Sequence, residues 1–169
     1  MPSFNLKLPP PFEDAVKSLE HEIMRFLVRS TGNRDDAMDL FQETWLRAYR
    51  AYPSLQSEDG LRPWIYRIAS NLCRNRARDR MRRGRVISSE PADGTDLAHG
   101  ASHHLSGGPE GALHLKRSIA RLPGKQGQAL MMRKFAGLEY AEIATALNCS
   151  AESARASVYQ ALKKLRLEG

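Results

Sequence analysis

Residues 138–165 read LEYAEIATALNCSAESARASVYQALKKL, and two helical stripes meet in them. Tyr140, Ile143, Ala144 and Leu147 fall on one face, and after Asn148-Cys149-Ser150 the pattern repeats with Ala154, Val158, Ala161, Leu162 and Leu165. Ser150 is a good N-cap, so a second helix begins at Ala151. A plain helical hairpin would satisfy this pattern. The outer side of the second helix argues for more. It presents Glu152, Ser153, Arg155, Ala156, Ser157, Tyr159, Gln160, Lys163 and Lys164. Such groups bond base edges or phosphates, and the small ones let a backbone come close. From Arg121 to the C-terminus, Arg121, Lys125, Arg133, Lys134, Arg155, Lys163, Lys164 and Arg166 outnumber the carboxylates Glu139, Glu142, Glu152 and Glu168. Phosphate contacts from such cations add affinity that depends on salt and not on sequence. The stretch predicts a helix-turn-helix whose second helix enters a major groove.

The remainder of the chain also reads as helix, with no strand-like alternation and no internal repeat. With 169 residues, 41% of them hydrophobic, it fits one or two small domains. A net charge of +7 points to a polyanionic partner, nucleic acid or an anionic membrane surface. No stretch approaches the ~18 apolar residues of a membrane span. The N-terminus lacks a basic segment followed by an apolar run, so a soluble cytoplasmic protein is the expectation. Cys73 and Cys149 sit inside helical patterns without a CxxC and read as small buried side chains.

Residues 1–11 carry Pro2, Pro9, Pro10 and Pro11 and are expected to be extended or disordered. From Phe12, the residues Ala15, Leu19, Ile23, Phe26 and Leu27 recur at helical spacing. Gly32 suits the end of that helix, and Asn33 caps the next, with Asp35 and Asp36 in its first turn. That next helix, through DLFQETWLRAYRAY, is the least charge-biased part of the chain. Asp39, Gln42, Glu43, Leu46 and Arg47 can share its outward face, while Leu40, Phe41, Thr44, Trp45 and Ala48 turn partly towards other elements. A mixed face of this kind suits protein docking as well as an ordinary surface.

After the loop PSLQSEDG, a long helix is expected over LRPWIYRIASNLCRNRARDRMRRGR, with Pro63 near its start. Trp64, Ile65, Ile68, Ala69 and Leu72 cover one side of its first half. Between Arg62 and Arg85, nine arginines (62, 67, 74, 76, 78, 80, 82, 83 and 85) stand against Asp79 alone. Arginine suits phosphate forks and base stacking. A charge run can also be a solvated helix end, but here Trp64 and Tyr66 lie beside a polar loop, where aromatic residues and arginines can hold unstacked bases. Asn71, Arg74, Asn75 and Arg78 share a face that could track a strand. Residues 84–109, rich in Gly, Ser, Pro, Asp and His, read as a flexible linker. His99, His103 and His104 lie there without a ligand frame, so no metal is assigned to them. The expected organisation is all-α: a helical domain over 12–83, the linker, and a helix-turn-helix domain over 110–169. No nucleophile–base pair and no carboxylate cluster with metal spacing supports an enzyme, and no cofactor is called for.

DAMDLFQETWLRAYRAY, then LRPWIYRIASNLCRNRARDR, then a variable linker, then LPGKQGQALMMRKFAGLEYAEIATALNCSAESARASVYQALKKLR together resemble a bacterial sigma factor of the extracytoplasmic-function (ECF) type, over residues 12 to 167. The resemblance implies roles position by position. Asp39, Leu40, Gln42, Glu43 and Leu46 match the helix that docks on the β′ clamp coiled coil of core RNA polymerase. Trp64, Asn71 and the neighbouring polar residues Arg67, Arg74, Asn75 and Arg78 match the segment that opens and reads the −10 element. The loop 54–60, with Ser54, Leu55 and Gln56, captures a flipped-out base. The helix from Ser150 matches the −35 reader. Glu90, Asp93 and Asp96 in the linker would lie along the RNA path of the polymerase and imitate RNA phosphates, and the implied partner is core RNA polymerase through its β′ and β subunits. Relatives usually carry a basic residue at Ser157 and a bulkier apolar one at Ala154, which implies a weaker phosphate grip here. Without a long C-terminal extension, the implied regulator is a separate anti-sigma protein. The competing reading is a stand-alone helix-turn-helix regulator on duplex operators, which has no need of the N-terminal block.

Overall fold

A computed structural model describes residues 8–86 and 109–168. Among the described residues, seven α-helices run in order: α1 (Phe12–Thr31), α2 (Arg34–Ala51), α3 (Leu61–Val86), α4 (Pro109–Arg121), α5 (Gly124–Phe135), α6 (Tyr140–Leu147) and α7 (Ala151–Glu168). Short 3-10 turns at Tyr52–Ser54 and Glu58–Gly60 fill the loop between α2 and α3. Among the described residues there is no strand. No helix among them is long and apolar enough to cross a membrane.

The first three helices pack because each offers one apolar stripe to a common centre. Ala15, Leu19, Ile23, Phe26 and Leu27 of α1 are buried, as their spacing predicts. They meet Ala37, Leu40, Trp45 and Ala48 of α2 and Leu61, Ile65, Tyr66, Ala69 and Leu72 of α3. Phe26 and Tyr66 touch edge to face at 5.2 Å, a favoured arrangement for ring quadrupoles. Phe12 gathers Trp45, Tyr49 and Tyr52 at centroid distances of 5.1–6.0 Å and closes the end of the bundle.

The turn from α1 to α2 follows its local chemistry. Gly32 takes φ of 70° and bonds back to the Val28 carbonyl, a left-handed stop suited to glycine. A side chain there would also collide with Lys116, which packs against this turn. The Asn33 side chain then accepts from the amides of Asp35 (2.8 Å) and Asp36 (3.2 Å) and satisfies two donors that a helix start leaves open.

Two boundaries differ from the sequence reading. The proline stretch, expected to be extended or disordered, is engaged at its end: the Pro11 carbonyl accepts from the amides of Asp14 and Ala15, and the Tyr52 hydroxyl donates to Pro10 at 2.6 Å. The third helix runs through Gly84 to Val86, past the expected linker start. Arginine is a good helix former, and a run of it carries the helix over a single glycine. The linker residues Glu90, Asp93, Asp96, His99, His103 and His104 lie outside the described residues.

Candidate nucleic-acid interface

The helix-turn-helix forms where its pattern places it. Helix α6 opens with a reciprocal capping box, in which the Glu142 side chain accepts from the Glu139 amide at 2.9 Å while Glu139 caps the amide of Glu142. It ends at Asn148, whose φ of 52° is left-handed, while the Cys149 amide bonds back to Ala144 at 2.9 Å. Asparagine tolerates this conformation better than most residues with a side chain. The Ser150 hydroxyl accepts from the Ser153 amide at 3.1 Å and starts α7. Ala154, Val158 and Ala161 are buried, with Leu162 and Leu165 half-buried against the same core. Glu152, Ser153, Arg155, Ala156, Tyr159, Gln160 and Lys163 are exposed on the other side, with Ser157 half-buried between them. This is the division a recognition helix needs.

Helix α3 carries the second basic surface. Arg67, Asn71, Asn75 and Arg78 are exposed, and Arg74 is half-buried. Trp64 is half-buried too, tilted at 53° to Tyr52 with ring centroids 6.2 Å apart. It therefore sits at the edge of the core, beside the loop that bears the exposed Ser54 and Gln56 and the half-buried Leu55. Lower on the helix, Asp36 of α2 pairs with Arg76 at 2.9 Å and with Arg80. Two of the nine arginines thus brace α2 against α3, whereas Arg78, Arg82 and Arg83 stay exposed. Cys73 and Cys149 are both free thiols, and burial pushes Cys73 up to about 12, which keeps it a protonated, inert packing group.

The outward face of α2 holds Asp39, Gln42 and Leu46, all exposed, and the half-buried Glu43, which pairs with Arg47 at 2.6 Å. Leu40, which the pattern turned inward and the resemblance grouped with the docking residues, is a core residue at 3% exposure and can only support the surface from beneath. Sequence reading missed two members of the face. Met38 and Tyr49 are 42% and 64% exposed. With Gln42 and Leu46 they form a stripe at steps of four, four and three, which exposed apolar residues at that period could have signalled.

The two helical domains are present as expected, and they also pack on one another, with α3 against α5 and α6, a contact the sequence reading did not foresee. Ile119, Leu122 and Met131 line a crevice along this seam together with Cys73 and Ala77. Buried Gln128 donates to Asn71 at 2.5 Å and to Ser70 at 3.3 Å. Arg29 donates to the Phe135 carbonyl at 2.9 Å. Arg62 holds Glu22 of its own half with two bonds of 3.0 Å and grips Glu142 of the other half. Arg74 lies against Gly124, at the positive end of α5, with no acidic partner among the described residues. Loss of water around it, with Arg78 nearby, pulls its pKa down. Closure thus covers part of the α3 surface: Gln128 occupies Asn71 and α5 covers Arg74.

Glu142 works on both sides of this arrangement. Partial burial pushes its carboxyl up, but the Glu139 amide and Arg62 outweigh this and hold it below its ordinary value of 4.5. A depressed carboxyl stabilises the form that binds it, fully above the ordinary value, and that support drains away as pH falls through the lowered one. Arg62 stays charged throughout, with Glu22 raising its pKa further. The expected result of Glu142→Gln at neutral pH is a larger radius of gyration by small-angle scattering, with helicity retained because an amide oxygen can still cap α6. Wild-type protein should expand similarly only below about pH 4.5. An unchanged radius in the variant would show that Arg62 does not hold the halves together.

The chain matches family models on both halves: sigma-70 region 2 over residues 15–83 and sigma-70 region 4 over residues 113–165. It is 30% identical over 159 residues to the RNA polymerase sigma-H factor of Pseudomonas aeruginosa, covering 89% of this chain and 81% of that protein. It is 26% identical over 157 residues to the ECF RNA polymerase sigma-E factor of Escherichia coli K12, covering 89% and 82%. Two solved structures share the fold. The sigma factor RpoE in complex with the anti-sigma factor NepR, from Bartonella quintana, has a TM-score of 0.56 at 23% identity, covering 92% of this chain and 94% of that one. CnrH in complex with the cytosolic domain of CnrY has a TM-score of 0.60 at 19% identity, covering 92% and 85%. A region 2 bundle followed by a region 4 helix-turn-helix defines a promoter-specificity subunit of bacterial RNA polymerase. The chain belongs to the sigma-70 family, as a sigma factor of the ECF type.

Proposed function

We propose that this sigma factor docks on the β′ clamp coiled coil through Asp39, Gln42, Glu43 and Leu46 of α2, opens the −10 element with α3 and the loop before it, and reads the −35 element with α7. The observation that carries this reading is the separation of three surfaces on one short chain. A mixed polar–apolar face on α2 suits a protein, and two basic faces, on α3 and α7, suit nucleic acid. Trp64 at the edge of the core, with Arg67 beside it, can stack an unpaired base and offset part of the few kcal/mol that unstacking costs. Exposed Arg155 and Gln160 supply donors for base edges and phosphates in a major groove. The chain works in the cytoplasm and carries out no chemistry of its own, which falls to the polymerase.

The seam fits this scheme as a resting state. Two weak binders become effective when they are fixed on one platform. Polymerase binding would draw the halves apart, release Asn71 from Gln128, uncover Arg74, and set the two readers over separate elements of one promoter. The RpoE structure from Bartonella holds its sigma factor with an anti-sigma factor, which supports a separate protein of that kind as the regulator here. The deciding experiment is run-off transcription with purified chain and core polymerase on a genomic promoter library. Promoter-dependent transcripts are expected. No stimulation, together with tight operator binding by the chain alone, would favour a stand-alone regulator.

A further inference from the structure

We propose that Tyr140 is a positioning residue for −35 recognition: its ring holds the face of the Arg155 guanidinium and leaves the N–H edge of that group free for DNA. The inference rests on the reading of α7 as the −35 reader. Two guanidiniums converge on this ring. The Cζ of Arg133 lies 4.7 Å from the centroid and that of Arg155 lies 5.1 Å from it, both within the range of a cation–π contact.

The two arginines are held differently. Arg133 donates to the Leu138 carbonyl at 2.8 Å and lies 3.4 Å from Glu139. Its polar edge is engaged by the turn before α6, so it acts as part of the scaffold. Arg155 is exposed and has no hydrogen-bond or ion-pair partner among the described residues. Among the described residues, the Tyr140 ring is what holds it. A guanidinium is planar, stacking through its face and donating through its edge. A carboxylate partner would fix Arg155 by occupying its donors. An aromatic ring fixes it and leaves every donor available for a guanine edge or a phosphate.

Tyr140 itself is well placed to hold a partner. It is the first residue of α6, inside the capping box from Glu139 to Glu142 that fixes the helix start. Half-buried, it packs against the core of its own half. Arg155 is the fifth residue of α7, in the part of a recognition helix that meets bases. A long exposed side chain ordered before binding loses less freedom when it binds.

The test uses full-length chain on core polymerase and a duplex library randomised over the upstream element, sequenced after selection. Arg155→Ala should flatten the preference at one or two positions. Tyr140→Leu, which keeps an apolar side chain for the core, should weaken preference at those same positions by about two- to five-fold. Tyr140→Phe should match wild type, because the ring is retained. In the Arg155→Ala background, Tyr140→Leu should add nothing. A Tyr140→Leu effect that persists without Arg155, or spreads evenly over all positions, would make Tyr140 a packing residue and overturn the proposal. If Arg155→Ala leaves every position unchanged, the proposal falls together with the assignment of α7 as reader. Thermal unfolding of each variant separates loss of fold from loss of selectivity.

Discussion

Replacing Gln42 and Leu46 together by alanine should weaken the affinity of the chain for core polymerase by about 30-fold or more, the effect of losing one interface hot spot. Both side chains are exposed, Leu46 at 44%, and neither makes a hydrogen bond or ion pair among the described residues. Alanine is also the best helix former, so α2 should remain intact and the thermal midpoint should hold. The loss would then be read as lost contact, not lost fold. Fluorescence anisotropy with labelled core enzyme measures it directly. Once saturating polymerase is supplied, the rate of promoter opening should recover. An unchanged affinity would remove α2 as the docking face, and a loss of opening at saturation would assign its residues to a later step.

Trp64→Ala should do the reverse, lowering the rate of strand opening by about 5- to 100-fold, the range for removing one base-stacking platform, with affinity for polymerase nearly intact. The side chain is half-buried and packs against Tyr52 as well as the core, so some stability is lost with it. Polymerase affinity serves as the internal control for folding. Permanganate footprinting of unpaired thymines reports opening, and a pre-opened promoter bubble should rescue the variant because the unstacking cost has already been met. If the bubble gives no rescue, Trp64 acts elsewhere than in melting.

The local features were legible because each is written within a few residues. The stripe from Ala15 to Leu27, the Asn33 cap, the Gly32 stop and the two helices flanking Asn148 all depend on spacings of three or four, and the fold follows them. Position on a face was read correctly for Leu40, which the pattern turned inward, but Met38 and Tyr49 were left off the α2 surface although they lie on its exposed stripe. The contacts across the seam were not legible at all. Arg62 reaches Glu22 over 40 residues and Glu142 over 80, and Gln128 reaches Asn71 over 57. No periodic signal connects such positions, and each residue by itself reads as ordinary surface. The same holds for the meeting of Arg133 and Arg155 on Tyr140, which needs three helices in place.

The hold of Gln128 on Asn71 and the cover that the start of α5 places over Arg74 have a consequence for where idle molecules spend their time. A genome offers on the order of 10⁶–10⁹ sites to which any cationic surface adheres weakly. A chain of net charge +7 would be lost among them if its full basic surface were always on offer. Folding part of that surface inward leaves more molecules adrift and available for capture, so abundance in the cell translates more directly into occupied polymerase.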